Sequence, residues 1–388
     1  SIMELLFKIL KSDNVYVKET TAWTIGRICE FHSGTIMPHF NILLEQIVPC
    51  LRDSWSVANN GCFAIYHLAN ACSEASINPT SPLTKYYGHL IMALMEAVNH
   101  PGAAENSPIL LSSIFEAITK VIKSGAEDTI PLSLEMFPFF LEKMKATFEI
   151  PNKELRIQLQ GLLCNVIMTL TNKVKDLMAS YAAPLLEICL HLLKTVKHIE
   201  EDVLMVVGSV AAEIGEEFVN FMHPFMPFVL HGLEGEELTL LVVSIGIIGD
   251  FCRSGKQEIN KYGDQIVDSF LKILKNQEID NIVQPHVLSG FGDLANAMGM
   301  PFEQHLPVVC AVLQAAAKTS KPEDPEDYEG FEHLYAIYSA VFDAYTCILQ
   351  SLLGTERGVI FKEEAVFVVN FLIYCMENDP TFVSTEQS

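Results

Sequence analysis

A tryptophan and two carboxylates share one face of a predicted helix near the start of the sequence. On a helical wheel of residues 13–30, Glu19, Trp23 and Glu30 fall together, almost opposite an apolar stripe. Large aromatic side chains are seldom left in water, and tryptophan is favoured where a partner covers it. This face therefore predicts a binding surface, although a neighbouring helix that covers Trp23 would explain the pattern as well.

The same face recurs one repeat further along the chain. Asn59, Phe63 and Tyr66 occupy positions on this second face, and Phe63 corresponds to Trp23. Two successive repeats thus place an aromatic side chain at one position outside the apolar stripe. The candidate partner-binding residues of these two repeats are Glu19, Trp23, Glu30, Asn59, Phe63 and Tyr66.

Acidic residues occupy related faces in the second half of the chain. Asp250 and Asp293 take matching positions, and Glu201, Asp202 and Asp343 lie on related faces. Glycines at 208, 246, 249 and 292 accompany them, which predicts close approach either of another chain or of adjacent repeats. Together these acidic residues predict an acidic inner groove, of which Glu201, Asp250, Asp293 and Asp343 complete the candidate site. The alternative is that each is a solvated surface charge.

The charge balance indicates what such a groove would bind. The 388 residues include 48 acidic and 25 basic side chains, for a formal net charge of −23. Nucleic acid needs Lys and Arg against its phosphates, so we expect no nucleic-acid partner. A basic partner is favoured, because long-range attraction would draw it in.

The motifs of catalysis, metal binding and cofactor binding are missing. The 12 histidines form no His-x-x-x-His or Glu-x-x-His pair, and neither a phosphate loop nor a Gly-x-Ser-x-Gly elbow is present. We therefore expect no enzyme, no metal and no cofactor. The ten cysteines include no Cys-x-x-Cys pair, which favours reduced thiols in the cytosol or nucleus. No apolar run reaches the roughly 18–20 residues of a membrane span, so no membrane insertion is expected.

The elements that must position these residues are amphipathic helices. An apolar stripe spaced i, i+4, i+8, i+11 begins at Val17 and recurs along the chain, whereas strand patterns are almost absent. The first positions of successive stripes are 40, 53, 45, 44, 41, 43 and 54 residues apart. A period of about 40–47 residues is typical of HEAT and armadillo repeats. An apolar helix, often with a proline, precedes each stripe.

We therefore predict an all-α fold, a HEAT-repeat superhelical solenoid of antiparallel helix pairs whose second helices line a concave surface. Residues 1–388 are expected to form a single array of about 8–9 repeats, truncated at both ends. A polar and acidic insertion is expected at 320–330. The chain begins without Met and inside a helical pattern, which indicates an excised segment.

The repeats resemble those of the importin-β (karyopherin-β) family of nuclear import receptors. Residues 18–30, Lys-Glu-Thr-Thr-Ala-Trp-Thr-Ile-Gly-Arg-Ile-Cys-Glu, are similar to a middle repeat of that family. Further matches include Ile247-Ile-Gly-Asp-Phe-Cys-Arg and Val287-Leu-Ser-Gly-Phe-Gly-Asp-Leu-Ala, and they follow the family order along nearly the whole chain. The resemblance implies the middle and C-terminal repeats of such a receptor.

This resemblance implies a role in nuclear protein transport. The family binds the basic importin-β-binding (IBB) segment of importin-α, or a basic cargo, inside its superhelix, where tryptophans stack on basic side chains and acidic residues pair with them. Trp23 matches one of those tryptophans, and Phe63 stands where the family has another, although Phe is a weaker cation–π partner. The implied further partners are Ran GTPase, which releases cargo in its GTP form, and Phe-Gly nucleoporins. The implied location is the cytoplasm and nucleus, including the nuclear envelope and pore.

Two alternatives stay open from the sequence. A HEAT scaffold of another type, such as a phosphatase or coat-complex subunit, would show no preference for basic peptides. An enzyme hidden from sequence patterns would show one deep pocket holding a titratable group with a strongly shifted pKa.

Overall fold

The computed structural model describes residues 2–74, 79–102, 107–235, 237–276, 278–322, 324, 326–352 and 362–378. Over these residues the chain is helical and has no β-strand, as the apolar period predicts. The expected insertion at 320–330 is described apart from residues 323 and 325. The chain divides into two compact units, Ser1–Val206 and Val207–Ser388.

Helices of eight residues or more are numbered here in chain order. The first unit contains α1 Ile2–Ile9, α2 Val15–Phe31, α3 Phe40–Ile47, α4 Trp55–Glu74, α5 Tyr87–Ala97, α6 Ser107–Ser124, α7 Ile130–Thr147, α8 Lys153–Val174 and α9 Ala179–Thr195. Helix α10, Glu200–Ile214, includes the division between the units. The second unit continues with α11 Met226–Glu234, α12 Leu238–Gly255, α13 Gly263–Lys275, α14 Val283–Met298, α15 Leu306–Ala316, α16 Tyr328–Leu352 and α17 Lys362–Asn378.

The even-numbered helices up to α16 are the second helices of the pairs, and they carry the predicted stripes. In the described part of the chain, eight such pairs precede α17. The stripe of α6, comprising Leu110, Ile114, Ile118 and Val121, is fully buried. The stripe of α2 is less regular, because Val17 is 38% exposed and Ile28 is half-buried. The all-α paired-helix prediction is confirmed for the described residues, whereas the single array of 1–388 stays a prediction.

Asparagine side chains fix where two of the second helices begin. The Asn14 side chain accepts hydrogen bonds from the backbone N–H of Tyr16 at 3.0 Å and of Val17 at 3.4 Å. The Asn152 side chain accepts from the backbone N–H of Leu155 at 3.1 Å. A side-chain oxygen at the N-cap satisfies N–H groups that have no partner within the helix, so these residues set the first turns of α2 and α8.

Four of the second helices end in the same kind of turn, which begins at a residue with positive φ. Lys175, Gly215, Lys256 and Gly299 follow α8, α10, α12 and α14, and have φ values of 55°, 56°, 44° and 62°. Each of these turns leads through a short 3₁₀ helix toward the next pair. Positive φ suits glycine and strains a residue that carries a Cβ, so the two lysines are the strained members of this set.

Replacing Lys256 by glycine is expected to raise the free energy of unfolding by about 1 kcal/mol, because the strain of a left-handed residue with a Cβ is removed. The substitution also removes the ion pair between the Lys256 ammonium and Glu216, which is exposed at both ends and contributes little. The measurement is urea unfolding followed by circular dichroism. The Lys256→Ala variant loses the same ion pair but keeps a Cβ, and it should show no gain. Equal stability of the two variants would contradict the strain argument.

Two helical stretches have the length and mean hydropathy of membrane spans. They are Lys153–Thr195 and Leu238–Lys261. In the most apolar 18 residues of each stretch, 44% and 56% respectively are buried inside the protein. Core helices of soluble proteins can have the same length and hydropathy, so these stretches are weak evidence for a membrane.

Candidate functional site

The aromatic wall, defined as Trp23 on α2 with Phe63 and Tyr66 on α4, lies in the first unit. Trp23 is 51% exposed, as the wheel predicts. Phe63 and Tyr66 are half-buried. The three predicted aromatic residues therefore differ in how much of each ring is free to meet a partner.

A basic side chain of the same helix already lies over Trp23. The guanidinium carbon of Arg27 is 5.9 Å from the centroid of the Trp23 ring and 4.6 Å from the centroid of the Phe31 ring. Arg27 Nη1 also donates to Glu30 Oε2 at 2.5 Å. Trp23, Arg27, Glu30 and Phe31 therefore form a cluster, here called the arginine box, that holds one guanidinium between aromatic rings and a carboxylate.

Phe63 is partly covered by the neighbouring second helix. A Cβ on Gly26 of α2 would overlap the Phe63 ring, so the ring packs directly on the glycine backbone. The Phe63 ring also meets His67 edge-on, with ring centroids 4.4 Å apart. Phe63 thus joins α2 to α4, in addition to any role toward a ligand.

Tyr66 also carries a basic side chain of this protein. Lys120 Nζ of α6 lies 5.3 Å from the centroid of the Tyr66 ring, and His67 packs edge-on at 5.1 Å. Burial lowers the pKa of His67, and the charges of Arg27 and Lys120 lower it further against the opposing effect of Glu30. The wall therefore alternates aromatic rings with charged groups.

Glu19 and Asn59 lie deeper than expected for groups that meet a ligand directly. Both are half-buried. The backbone carbonyl of Glu19 accepts a hydrogen bond from Asn60 Nδ2 at 3.2 Å, which ties α2 to α4. The Asn59 side-chain oxygen is buried without a hydrogen-bond partner among the described residues.

In α10, the carboxylate that packs against the neighbouring second helix is that of Asp202 and not that of Glu201. A Cβ on Gly161 of α8 would lie 2.8 Å from Asp202 Oδ2, so this carboxylate rests on the glycine backbone. Burial raises the pKa of Asp202, and the neighbouring charge of Glu201 raises it further. Glu201 is half-buried and acts on this site through its charge.

The second unit repeats this carboxylate-on-glycine contact. A Cβ on Gly208 would lie 2.7 Å from Asp250 Oδ2, and one on Gly249 would lie 2.6 Å from Asp293 Oδ2. Gly208 and Gly249 thus serve the close approach of adjacent second helices, which was one of the two explanations open from the sequence. This explanation is wrong for Gly246, because a Cβ there would meet nothing within 4 Å. Asp250 and Asp293 occupy the matching positions that the repeat period predicts.

Arg253 bridges the two carboxylates. Its Nη2 donates to Asp250 Oδ1 at 2.8 Å and its Nη1 lies 3.3 Å from Asp293 Oδ1. The Arg253 side chain is 60% exposed, against 24% for Asp250 and 30% for Asp293. Burial raises the pKa of both carboxyls more than the ion pairs with Arg253 lower it. Two carboxylates and one guanidinium leave a local negative charge that is not fully compensated.

Asp343 lies one second helix further on and is exposed. Burial raises the pKa of Cys347, and the charges of Asp293 and Asp343 raise it further, so both carboxylates act on one thiol. Between α14 and α16 the glycine packs against backbone and not against a carboxylate. A Cβ on Gly292 would lie 2.8 Å from Ala344 Cα. We call Asp250, Asp293 and Asp343 the acidic ladder.

Three charged residues of the site were not singled out as candidates from the sequence: Arg27, Lys120 and Arg253. Arg27 follows Trp23 by four positions and Arg253 follows Asp250 by three, and both spacings place side chains on one helical face. Arg27 and Arg253 could therefore have been identified from the sequence. The position of Lys120 over Tyr66 depends on which residues of adjacent helices face each other, and one helical wheel carries no such information.

An apolar groove lies on the side of the first helices in the second unit. It has a volume of about 310 Å³. Residues of α13, α14 and α15 line it: Leu271, Leu274, Lys275, Gln284, Leu288, Val312, Ala315 and Ala316. We call it the α13–α15 groove.

Over the described residues, no group of three or more His, Cys, Asp or Glu side chains is placed to hold a metal ion.

Known proteins match the chain over most of its length. A family model described as "Importin subunit beta-1-like, TPR repeats" matches residues 42–386. Importin subunit beta-1 of Arabidopsis thaliana is 29% identical over an alignment of 387 positions, and the match covers 94% of this chain and 44% of the relative. The corresponding protein of Schizosaccharomyces pombe is 24% identical and is matched over 42% of its length. The chain therefore spans less than half the length of these relatives.

Solved structures show the same fold. A crystal structure of importin beta superposes with a TM-score of 0.87 at 23% identity, covering 97% of this chain and 45% of that one. A Kap95:Nup1 complex gives 0.80 at 24% identity, covering 98% and 44%. A structure of Kap95p binding RanGDP gives 0.78 at 24% identity, covering 98% and 45%. These likenesses confirm the HEAT-repeat solenoid fold class expected from the sequence.

Proposed function

The chain belongs to the importin subunit beta-1 family of nuclear transport receptors, and from this premise we propose that it binds a basic protein segment. The segment would be the IBB segment of an importin-α or the basic region of a cargo. The aromatic wall and the acidic ladder are the proposed contact surfaces. In the full-length receptor, binding of Ran-GTP would release this ligand.

The observation that carries the proposal is Trp23, a half-exposed tryptophan with a guanidinium over its ring and a carboxylate beside that guanidinium. The cluster shows that the surface accommodates an arginine group in water-accessible surroundings. Cation–π contacts contribute about 0.5–2 kcal/mol each, so useful affinity requires several of them together with ion pairs. The net charge of −23 supports such a ligand by long-range attraction.

Replacing Trp23 by alanine is expected to weaken binding of a fluorescein-labelled IBB peptide about two- to thirtyfold at low salt, the equivalent of one cation–π contact. Fluorescence anisotropy gives the Kd. Binding by the unaltered chain should weaken as salt increases, because screening acts on exposed charges beyond roughly 8–10 Å.

The matched control is Tyr16→Ala. Tyr16 is an aromatic residue of the same helix and is 79% exposed, but it lies outside the arginine box. This variant should bind as the unaltered chain does. Failure to bind any IBB peptide at low salt would remove the proposal and favour the alternative, a HEAT scaffold of another type without basic-peptide preference.

The α13–α15 groove is the proposed place for Phe-Gly nucleoporin segments. Its size and apolar lining suit a phenylalanine ring, and the Kap95:Nup1 complex shows that a structurally similar chain binds a nucleoporin. Ran GTPase is a proposed partner on the strength of the Kap95p structure with RanGDP. Shuttling between cytoplasm and nucleus through the nuclear pore follows from these partners and is part of the same proposal.

A further inference from the structure

The arginine box already contains a basic side chain of this protein beside Trp23, the ring proposed to contact a ligand. Arg27 lies within cation–π range of both Trp23 and Phe31, and its Nη1 pairs with Glu30 at 2.5 Å. The Arg27 side chain is 41% exposed and that of Glu30 is 27% exposed. The stacked cation is therefore at the surface, where a competing group from solution can reach it.

The same arrangement recurs on the next second helix with a different cation. Tyr66 is approached by Lys120 from α6, with 5.3 Å between Nζ and the ring centroid. Two of the three rings of the aromatic wall thus already have a basic side chain of this protein over them. The arginine box is the more complete of the two, since its cation has two rings and a carboxylate.

We propose that Arg27 is an intramolecular competitor that a ligand arginine must displace, and that the box it vacates selects arginine over lysine. This inference rests on the proposed function and adds to it the identity of the basic residue at Trp23. On displacement, Arg27 turns toward solvent, and the ligand guanidinium takes its place against Trp23, Phe31 and Glu30.

The selectivity follows from the shape of the group that fills the box now. A guanidinium is planar, stacks flat on aromatic rings and donates toward a carboxylate in its own plane. An ammonium is a compact and strongly hydrated charge, so it makes the ion pair with Glu30 but gains less from two rings. Lysine would therefore displace Arg27 less effectively than arginine.

The experiment uses two labelled peptides of identical sequence, in which every basic residue is arginine in one and lysine in the other. The Kd of each is measured by fluorescence anisotropy at low salt for the unaltered chain, Arg27→Gln and Arg52→Gln. Arg52 is the matched control for net charge, because it is in the same unit, is 75% exposed and pairs with Glu96 outside the box.

Arg27→Gln should bind the arginine peptide about three- to tenfold more tightly, since one competing cation–π contact is lost, and should bind the lysine peptide with a smaller gain. Arg52→Gln should leave both affinities unchanged. Equal gains for both peptides, equal gains in Arg52→Gln, or weaker binding by Arg27→Gln would each overturn the inference while leaving the proposed function intact.

A second readout does not depend on peptide binding. The chain has two tryptophans, so Trp55→Phe leaves Trp23 as the single indole. In that background, methylguanidinium at constant ionic strength should change Trp23 fluorescence more strongly in Arg27→Gln than in a chain with Arg27, and methylammonium should have little effect in either. An identical response with and without Arg27 would overturn the inference, even if no basic peptide binds.

Discussion

The double variant Asp250→Asn, Asp293→Asn is expected to bind a basic segment about tenfold to a hundredfold more weakly at low salt. A hydrogen bond to a charged group contributes roughly 1.5–3 kcal/mol, and 1.4 kcal/mol corresponds to tenfold in affinity. Arg253 already pairs with both carboxylates, so the loss should fall well below that of two unpaired acids. The measurement is the Kd of a labelled IBB peptide by anisotropy across a salt series.

The same variant should unfold at an unchanged or higher temperature. Burial raises the pKa of both carboxyls, so in the folded chain the ionised form is the unfavourable one, and a neutral amide avoids that cost. A raised folded-state pKa gives stability that is present at low pH and is lost as pH rises through the folded value. The variant should lack this part of the pH dependence in thermal unfolding followed by circular dichroism.

The matched control is Asp264→Asn, Asp268→Asn. Both residues are exposed acids of α13, and their replacement removes the same charge from the same unit. This control should change the affinity much less, because it alters only the long-range field. Equal losses in the two double variants would show that net charge, and not the acidic ladder, attracts the ligand. A markedly lower unfolding temperature for Asp250→Asn, Asp293→Asn would contradict the stability argument.

A methyl group on Gly292 is expected to lower the free energy of unfolding by about 1–3 kcal/mol, the usual range for inserting an atom into a tightly packed contact. The added Cβ would lie 2.8 Å from Ala344 Cα and 3.2 Å from Cys347 Cβ. Ala344 Cα is backbone, so α14 and α16 must separate to admit it. Urea unfolding of Gly292→Ala measures the effect.

Gly246→Ala is the control for this change. Gly246 also lies in the interior of a second helix, but a Cβ there would meet nothing within 4 Å. That substitution should stabilise the chain by about 0.5–1 kcal/mol, because alanine loses less conformational freedom than glycine in a helix. A similar gain in stability for Gly292→Ala would contradict the close contact between Gly292 of α14 and Ala344 of α16.

The fold was predictable because each apolar stripe must be buried and because the stripes recur at a repeat period. Val287, Phe291 and Leu294 show this clearly, since their spacing on the wheel predicts one buried face and all three are fully buried. Val17 shows the limit. It belongs to the predicted stripe of α2, but it lies in the first turn of that helix and is 38% exposed.

The candidate site was predictable only as far as one helix determines it. The exposure of Trp23 and the match between Asp250 and Asp293 follow from positions within a helix and from the period. The covering of Phe63 by Gly26 depends on the facing helix, and so does the packing of Asp202 on Gly161. Glu201 and Asp202 are neighbours in sequence, and the glycine on α8 decides which of them packs against that helix.

The shared turn after the second helices also bears on how such a chain changes length during evolution. In the second unit, Gly215, Lys256 and Gly299 begin equivalent turns 41 and 43 residues apart. A duplication or deletion with its ends at two of these turns would join residues of similar positive φ and would leave each helix pair whole. Unequal recombination at such joints therefore yields foldable products more often than recombination within a helix, and the turn residues are the natural boundaries of the heritable module.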